Sequence, residues 1–223
     1  SSSDSSSSEA FADCMSFLQT HTPCIGHNFR PGVPCSTGCG PDCTGVRDVS
    51  VRPPVSPSTI ASSPADCDRY TCPYSGYDGV MGYQGHCESH IASGAVWDIS
   101  QSLVALYGDA GWEKINRLYY LGLGDFRGAY QLVSGGQCNP NAVVNGCGSQ
   151  NYYTVFSFLD DDNGNLADGT PHGEQIWDGL ANHGIACGNR PTNYTVCLDL
   201  QTPVASIMPG DDEATLSWGA VPN

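Results

Sequence analysis

A glutamate and an aspartate stand four residues apart in Glu9-Ala10-Phe11-Ala12-Asp13. On a helix that spacing stacks the two carboxylates one turn apart on one face. Glu9 could then bind a metal while Asp13 holds the ring N–H of a histidine on the same metal. Such a carboxylate–histidine–zinc relay supports a catalytic zinc. No His-Glu-x-x-His is present in the 223 residues. The histidines are therefore expected upstream, and the chain is expected to begin inside an active site. The plainer reading of an i, i+4 acidic pair is a solvated helix face.

Three further groups carry chemistry. His86-Cys87-Glu88-Ser89 lies at the start of a long apolar stretch, where a loop histidine ahead of a helix can face a cleft. His86 could donate a hydrogen bond to an oxyanion, as an imidazolium would when a peptide carbonyl becomes tetrahedral; otherwise it is a surface histidine. Arg47 in Gly45-Val46-Arg47-Asp48 can orient a substrate carbonyl with its planar fork, or pair with Asp48. Asp160, Asp161, Asp162, Asn163 and Asp168 form the densest acidic run. Their oxygens suit Ca²⁺, although Leu159 would occupy the first ligand position of an EF-hand. A solvated acidic loop is the alternative. Asn193-Tyr194-Thr195 fits a glycosylation acceptor.

The elements that must position these groups are mainly helical. Residues 1–8 are nearly all serine, and Ser7 or Ser8 could cap a helix from Glu9 to about Leu18 with Phe11, Cys14, Met15 and Leu18 inward. Residues 24–73 are rich in Pro, Gly and Cys without periodicity, a long irregular stretch that needs disulfides or a binding role. Ser89 can cap a helix whose Ile91, Ala95, Ile99, Leu103 and Leu106 form one stripe ending at Gly108. A second helix runs from about Gly111 to Leu121 with Trp112, Ile115, Leu118 and Tyr119 inward, and a third covers about Asn151–Leu159. Thr170 as cap and Pro171 at the first position signal the last, with Ile176, Trp177 and Leu180, ending near Gly184. After a linker over 188–202, Pro203–Met208 and Ala214–Trp218 read as two strands around a Gly-Asp-Asp turn.

Composition narrows the partners. Lys and Arg number 8 against 23 Asp and Glu, a formal charge of −15, so the basic patch that nucleic acid or an anionic membrane requires is not expected. No apolar run reaches bilayer length. Twelve cysteines, several of them close together in Gly/Pro/Asn-rich loops, favour disulfides and an oxidising compartment. Cys138/Cys147 and Cys187/Cys197 are natural loop-closing partners. A zinc cluster of Cys35, Cys39, Cys43 and a fourth cysteine is the rival, with poor spacing for a knuckle.

In order and context these signals resemble one family. Glu9 to Asp13 looks like the third-ligand helix of the thermolysin-like zinc metallopeptidases. His86-Cys87-Glu88-Ser89-His90-Ile91-Ala92-Ser93-Gly94-Ala95-Val96-Trp97-Asp98-Ile99-Ser100 resembles, without a gap, the loop and helix carrying that family's transition-state histidine. Arg47 falls in a stretch similar to the one bearing its substrate-orienting arginine. Ile115 to Tyr120 and Tyr152 to Gly184 look like its closing helices. His90-Ile91-Ala92-Ser93-Gly94 also resembles the local pattern, so His90 competes with His86; His86 keeps the apolar positions in phase and puts Ser89 at the cap. The carboxylate that usually orients this histidine could be Asp78 or Glu88. Residues 203–223 resemble the first two strands of a fibronectin type III module, which needs about seven.

The resemblance implies a mainly α, thermolysin-like C-terminal helical lobe over 1–187 with a disulfide-rich irregular insert at about 24–73 and a short β appendage. It implies a secreted or cell-surface zinc endopeptidase acting on protein or peptide substrates. Its Zn²⁺ would be shared with histidines of a missing N-terminal lobe or companion chain, with Ca²⁺ as a further candidate. The reading from another class is an inactive extracellular scaffold or binding module derived from such a lobe.

Overall fold

In the structure, a computed structural model, residues 5–29, 43–60, 79–126, 128–129 and 145–192 are described, together with the backbone of strands at 205–209 and 214–218. Among them the chain is mainly helical: α1 (Ser5–Thr20), α2 (Gly85–Tyr107), α3 (Ala110–Gly122), α4 (Tyr152–Asp160) and α5 (Gly173–Asn182), with one 3-10 turn at Leu166–Asp168. Two antiparallel pairs accompany them. β1 (Cys24–Ile25) pairs with β2 (Arg47–Asp48), and β3 (Ala205–Pro209) with β4 (Ala214–Trp218).

The 23-residue α2 is the central helix, packed against α1, α3 and α5. Nearly every side chain from Gly85 to Ser100 is buried, as expected of a helix enclosed on several sides. Ile91, Ala95, Ile99 and Leu103 are in the core as expected, whereas Leu106 is 56% exposed. The helix also starts earlier than the Ser89 cap predicted. Gln84 caps it, its Oε1 accepting from the N–H of His86 and Cys87. Ser89 instead donates to the His86 carbonyl at 2.8 Å, inside the first turns.

In α1 the buried stripe is Ala10, Asp13, Cys14, Phe17 and Leu18, while Phe11 is 44% exposed and Met15 half-buried. The predicted face was rotated, because the stripe at i, i+3, i+4, i+7, i+8 includes an aspartate that a purely apolar reading passes over. Phe17 meets Trp97 edge-on at 5.4 Å, and Trp97 leans on Trp112 of α3 at 5.8 Å. Trp112, Ile115, Leu118 and Tyr119 are inward as expected. Asn151 caps α4 by accepting from Thr154 N at 2.9 Å.

Helix α5 begins at Gly173, with His172 rather than Thr170 at the cap. The Thr170 carbonyl takes the Gly173 N–H in a turn that carries Pro171. Ile176 and Leu180 are fully buried, and Trp177 meets Tyr153 edge-on at 5.0 Å.

The disulfides correct two expected pairings. Cys147 bonds Cys187, and Cys24 bonds Cys43. The first excludes Cys138/Cys147 and Cys187/Cys197, because the ends of α4 and α5 are neighbours in space while sequence-close cysteines need not be. The second takes Cys43 out of the zinc-cluster alternative. Cys87 is also disulfide-bonded. Cys14 is a free thiol buried in the α1 stripe. Disulfides, and no described helix long and apolar enough to cross a membrane, are compatible with an extracellular protein. Residues 203–204, most of the predicted linker, Cys138, Cys197, Asp78 and Asn193 to Thr195 lie outside the described residues.

Candidate functional site

Three elements converge at the mouth of α2. Helix α1 supplies Glu9 and Asp13, β2 supplies Arg47, and the first turn of α2 supplies His86 and Ser89. Arg47 reaches the helices because β2 is pinned against β1. Ile25 pairs with Arg47, Val46 N donates to the Ile25 carbonyl at 2.8 Å, and the Cys24–Cys43 disulfide closes the same loop. Gly45 lets the chain pass directly against the Ile25 carbonyl, where any Cβ would collide.

The guanidinium of Arg47 bridges the two α1 carboxylates. Nε donates to Asp13 Oδ1 at 2.7 Å and Nη2 to Glu9 Oε2 at 3.1 Å. His86 Nε2 approaches the same Glu9 oxygen at 3.0 Å. Ser89 Oγ lies 3.2 Å from Asp13 Oδ2. Exposure falls inward: the side chains of His86, Glu9, Arg47 and Asp13 are 40%, 19%, 12% and 0% exposed. The i, i+4 acidic pair is therefore not a solvated helix face. Asp48 is engaged elsewhere, accepting from the N–H and hydroxyl of Ser50 at 2.9 and 2.7 Å.

The electrostatics follow burial. Desolvation pushes Asp13 up to about 6, against the opposing pull of Arg47 and Ser89. His86 is held below its ordinary value, by burial first and then by the Arg47 cation, with Glu9 acting in the opposite sense. Burial pushes His90 down to about 4, helped by Arg47. His90 lies one turn further along α2 at 8% exposure, without a hydrogen bond or ion pair to Glu9 or Asp13. Of the two competing histidines, His86 is the one brought to Glu9.

Glu88 faces away from the orienting role considered for it. Its buried carboxylate accepts from Met81 N and Tyr83 N, bracing the turn before α2. The group that touches His86 Nδ1 is the side-chain amide of Gln84. Sequence reasoning missed Gln84 because a glutamine is a poor cap by composition. The histidine two residues on was its only signal.

The acidic run is divided. Asp160 clasps α5, its oxygens receiving the N–H of His172 and facing His172 Nδ1, both at 2.6 Å, while His172 Nε2 meets Tyr107 OH at 3.0 Å. Asp161, Asn163 and Asn165 each accept a backbone N–H two residues on. Asp168 Oδ2 takes the amides of both Asn163 and Asn165 at 3.1 Å, and Asp162 is exposed. Among the described residues no group of three or more His, Cys, Asp or Glu is placed to hold a metal ion.

A second polar cluster, also missed, lies behind the site. Asp98 of α2 receives Arg52 Nη2 at 2.6 Å and Asn182 Nδ2 at 3.1 Å, with His183 Nε2 at 3.5 Å. Burial opposes the charge, yet His183, Arg52 and Asn182 together hold Asp98 below the usual carboxylate range. This network joins the irregular segment, α2 and the end of α5. No protein-family model, no curated protein and no solved structure matches the chain.

Proposed function

We propose that this chain is the C-terminal lobe of a secreted zinc endopeptidase, supplying one zinc ligand and the groups that stabilise the transition state. The observation that carries the reading is the meeting of Glu9, Arg47 and His86. Three elements far apart in sequence bring a cationic fork and an imidazole onto one carboxylate oxygen. Glu9 fits a metal in one respect that the structure tests. Its Oε2 is occupied by Arg47 and His86, while Oε1 makes no hydrogen bond to the described residues and remains a hard oxygen donor at a partly open edge. One carboxylate does not make a tetrahedral site, so the other donors would be the histidines expected upstream. Bound there, zinc supplies Lewis acidity to the scissile carbonyl and to the attacking water.

The chain's own residues then have distinct tasks. Asp13 is the anchor, holding Arg47 from below and joining α1 to Ser89 of α2. Arg47 keeps Nη1 without a partner among the described residues and can fix the carbonyl of a bound peptide. His86, the most exposed of the group, can donate to the oxygen on which negative charge develops. A glutamate upstream would move the proton. Calcium at the 160–168 loop would depend on Asp161, Asp162, Asn163 and Asp168, since Asp160 is committed to His172.

One observation favours the scaffold alternative. Arg47 and His86 already pair Glu9, so the chain's own residues compensate that carboxylate. Full-length protein separates the readings: a peptidase loses activity on chelation and regains it with zinc. Glu9→Ala should lower zinc occupancy, and His86→Ala should lower turnover with zinc retained. Undiminished zinc in Glu9→Ala ends the ligand assignment.

A further inference from the structure

A cleft of about 350 Å³ is formed by elements that supply none of Glu9, Arg47 and His86. Helix α4 contributes Tyr153, Thr154 and Ser157, the 3-10 turn contributes Leu166, and the loops flanking α5 contribute Thr170 and Thr192. The volume lies at the lower end of the range for small-molecule sites, about 300–1,000 Å³. None of the lining side chains carries a charge.

The frame is braced from outside the cleft. Asp160 Oδ2 accepts from His172 N at 2.6 Å, tying the end of α4 to the start of α5. Asn165 Oδ1 accepts from Ala167 N at 3.3 Å within the turn. Arg190 reaches Glu174 and Asp178 of α5 at 3.2 and 2.9 Å, and Tyr153 meets Trp177 edge-on. Two hydroxyls inside this frame are left over. Ser157 Oγ and Thr170 Oγ1 are buried without a hydrogen-bond partner among the described residues, in side chains that line the cleft. The two residues are 8% and 4% exposed, and burying a hydroxyl unpaired is unfavourable. A turn about χ1 between staggered wells brings such an oxygen to a ligand packed on its own side chain.

The lining also selects the chemistry of an occupant. A cation finds no carboxylate there. An anion finds no cationic side chain and meets a chain of formal charge −15. Either would be desolvated without compensation. A neutral sugar ring carries both hydroxyls and C–H surface. Its hydroxyls can donate to and accept from Ser157 and Thr170, while its apolar face packs on Tyr153 and Leu166. We propose that the α4–α5 cleft binds a single neutral sugar residue, with Ser157 and Thr170 as its hydrogen-bonding groups. Binding there is independent of zinc and of peptidase activity.

The test is titration of the intact ¹⁵N-labelled chain with the methyl glycosides of glucose, galactose, mannose and N-acetylglucosamine, followed in ¹H–¹⁵N correlation spectra. At least one should bind saturably and shift the amides of Thr154, Ser157, Thr170 and Gly173. Ser157→Ala should leave the urea midpoint unchanged or higher, because the deleted hydroxyl has no partner to lose. It should nevertheless weaken that glycoside by about 5–10-fold. Thr170→Val, which keeps the side-chain shape, should weaken it similarly. Failure of every glycoside to bind, or shifts confined to other residues, overturns the proposal without requiring any variant to fold. Unchanged affinity in folded Ser157→Ala and Thr170→Val overturns it too. A lowered urea midpoint in Ser157→Ala shows that the hydroxyl is already engaged, and has the same consequence. N-acetylalanine methylamide is the neutral comparison: if it alone shifts these amides, the cleft takes a peptide and the sugar assignment is wrong.

Discussion

Replacing Gly94 with alanine adds one methyl group to the middle of α2, and two effects of opposite sign compete. Helix propensity favours the change by about 1 kcal/mol, because alanine loses less backbone freedom than glycine. The structure opposes it. The new Cβ would lie 3.1 Å from both ring nitrogens of His183 and closer still to Cε1. His183 is 1% exposed, its Nδ1 is 2.8 Å from the Val55 carbonyl, and Asp98 lies beyond Nε2. A buried ring so placed has no free volume to retreat into. Overpacking costs about 1–3 kcal/mol, and pulling the ring from Val55 strands a buried carbonyl for about 1–3 kcal/mol more. Setting the propensity gain against these leaves Gly94→Ala destabilised by about 1–5 kcal/mol. Urea unfolding followed by circular dichroism measures it. In a His183→Ala background the clash is gone, so the same change should be neutral or stabilising, giving a coupling of about 2 kcal/mol or more in the double-mutant cycle. A stabilised Gly94→Ala single variant would refute the packing argument outright.

His90 should make the fold acid-sensitive. Its pKa in the fold is about 4, lowered from 6.5 first by burial and then by Arg47, with His183 and His86 acting in the same sense and Asp48 opposing. Its contribution is complete above pH 6.5 and is lost as pH falls toward 4, by about 3 kcal/mol in all. Asp13, raised to about 6, acts oppositely over an overlapping range. The readout is therefore the difference in urea stability between wild type and His90→Gln at pH 7 and pH 4.5, and no pH-dependent difference refutes it. Replacing both Cys147 and Cys187 with serine releases a 40-residue separation and should cost about 4 kcal/mol on the loop-entropy account, seen as a lower thermal midpoint. Asp160→Asn weakens the buried clasp on His172 and should cost about 2–4 kcal/mol. A change below about 0.5 kcal/mol, the level of an ordinary surface substitution, would show that the clasp contributes little.

The helices were legible because helical signals are local. Apolar spacing located the buried faces of α2 and α3, and Gly108 and Gly184 marked helix ends through their positive φ. Local rules failed where a side chain had a distant partner. Ser89 has the composition of a cap, yet its hydroxyl faces Asp13 across the helix interface, and Gln84, ahead of the predicted cap, takes that place. Phe11 was expected inside, and Asp13 was read as the partner of a zinc-binding histidine, with a solvated helix face as the plainer alternative. The α1–α2 contact buries the aspartate, because Arg47 and Ser89 supply the hydrogen bonds that make the burial tolerable. Cysteine pairing failed for the same reason, since spacing along the chain does not report which helix ends meet.

The order of residues alone thus established a cysteine-rich, strongly acidic, mainly helical chain and singled out Glu9, Arg47 and His86 as groups worth bringing together. Whether they meet, and which histidine reaches the carboxylate, depended on the packing of α1, β2 and α2. Hydrogen-bond partners separated by 34 to 76 positions are chosen by three-dimensional proximity, which no local pattern encodes.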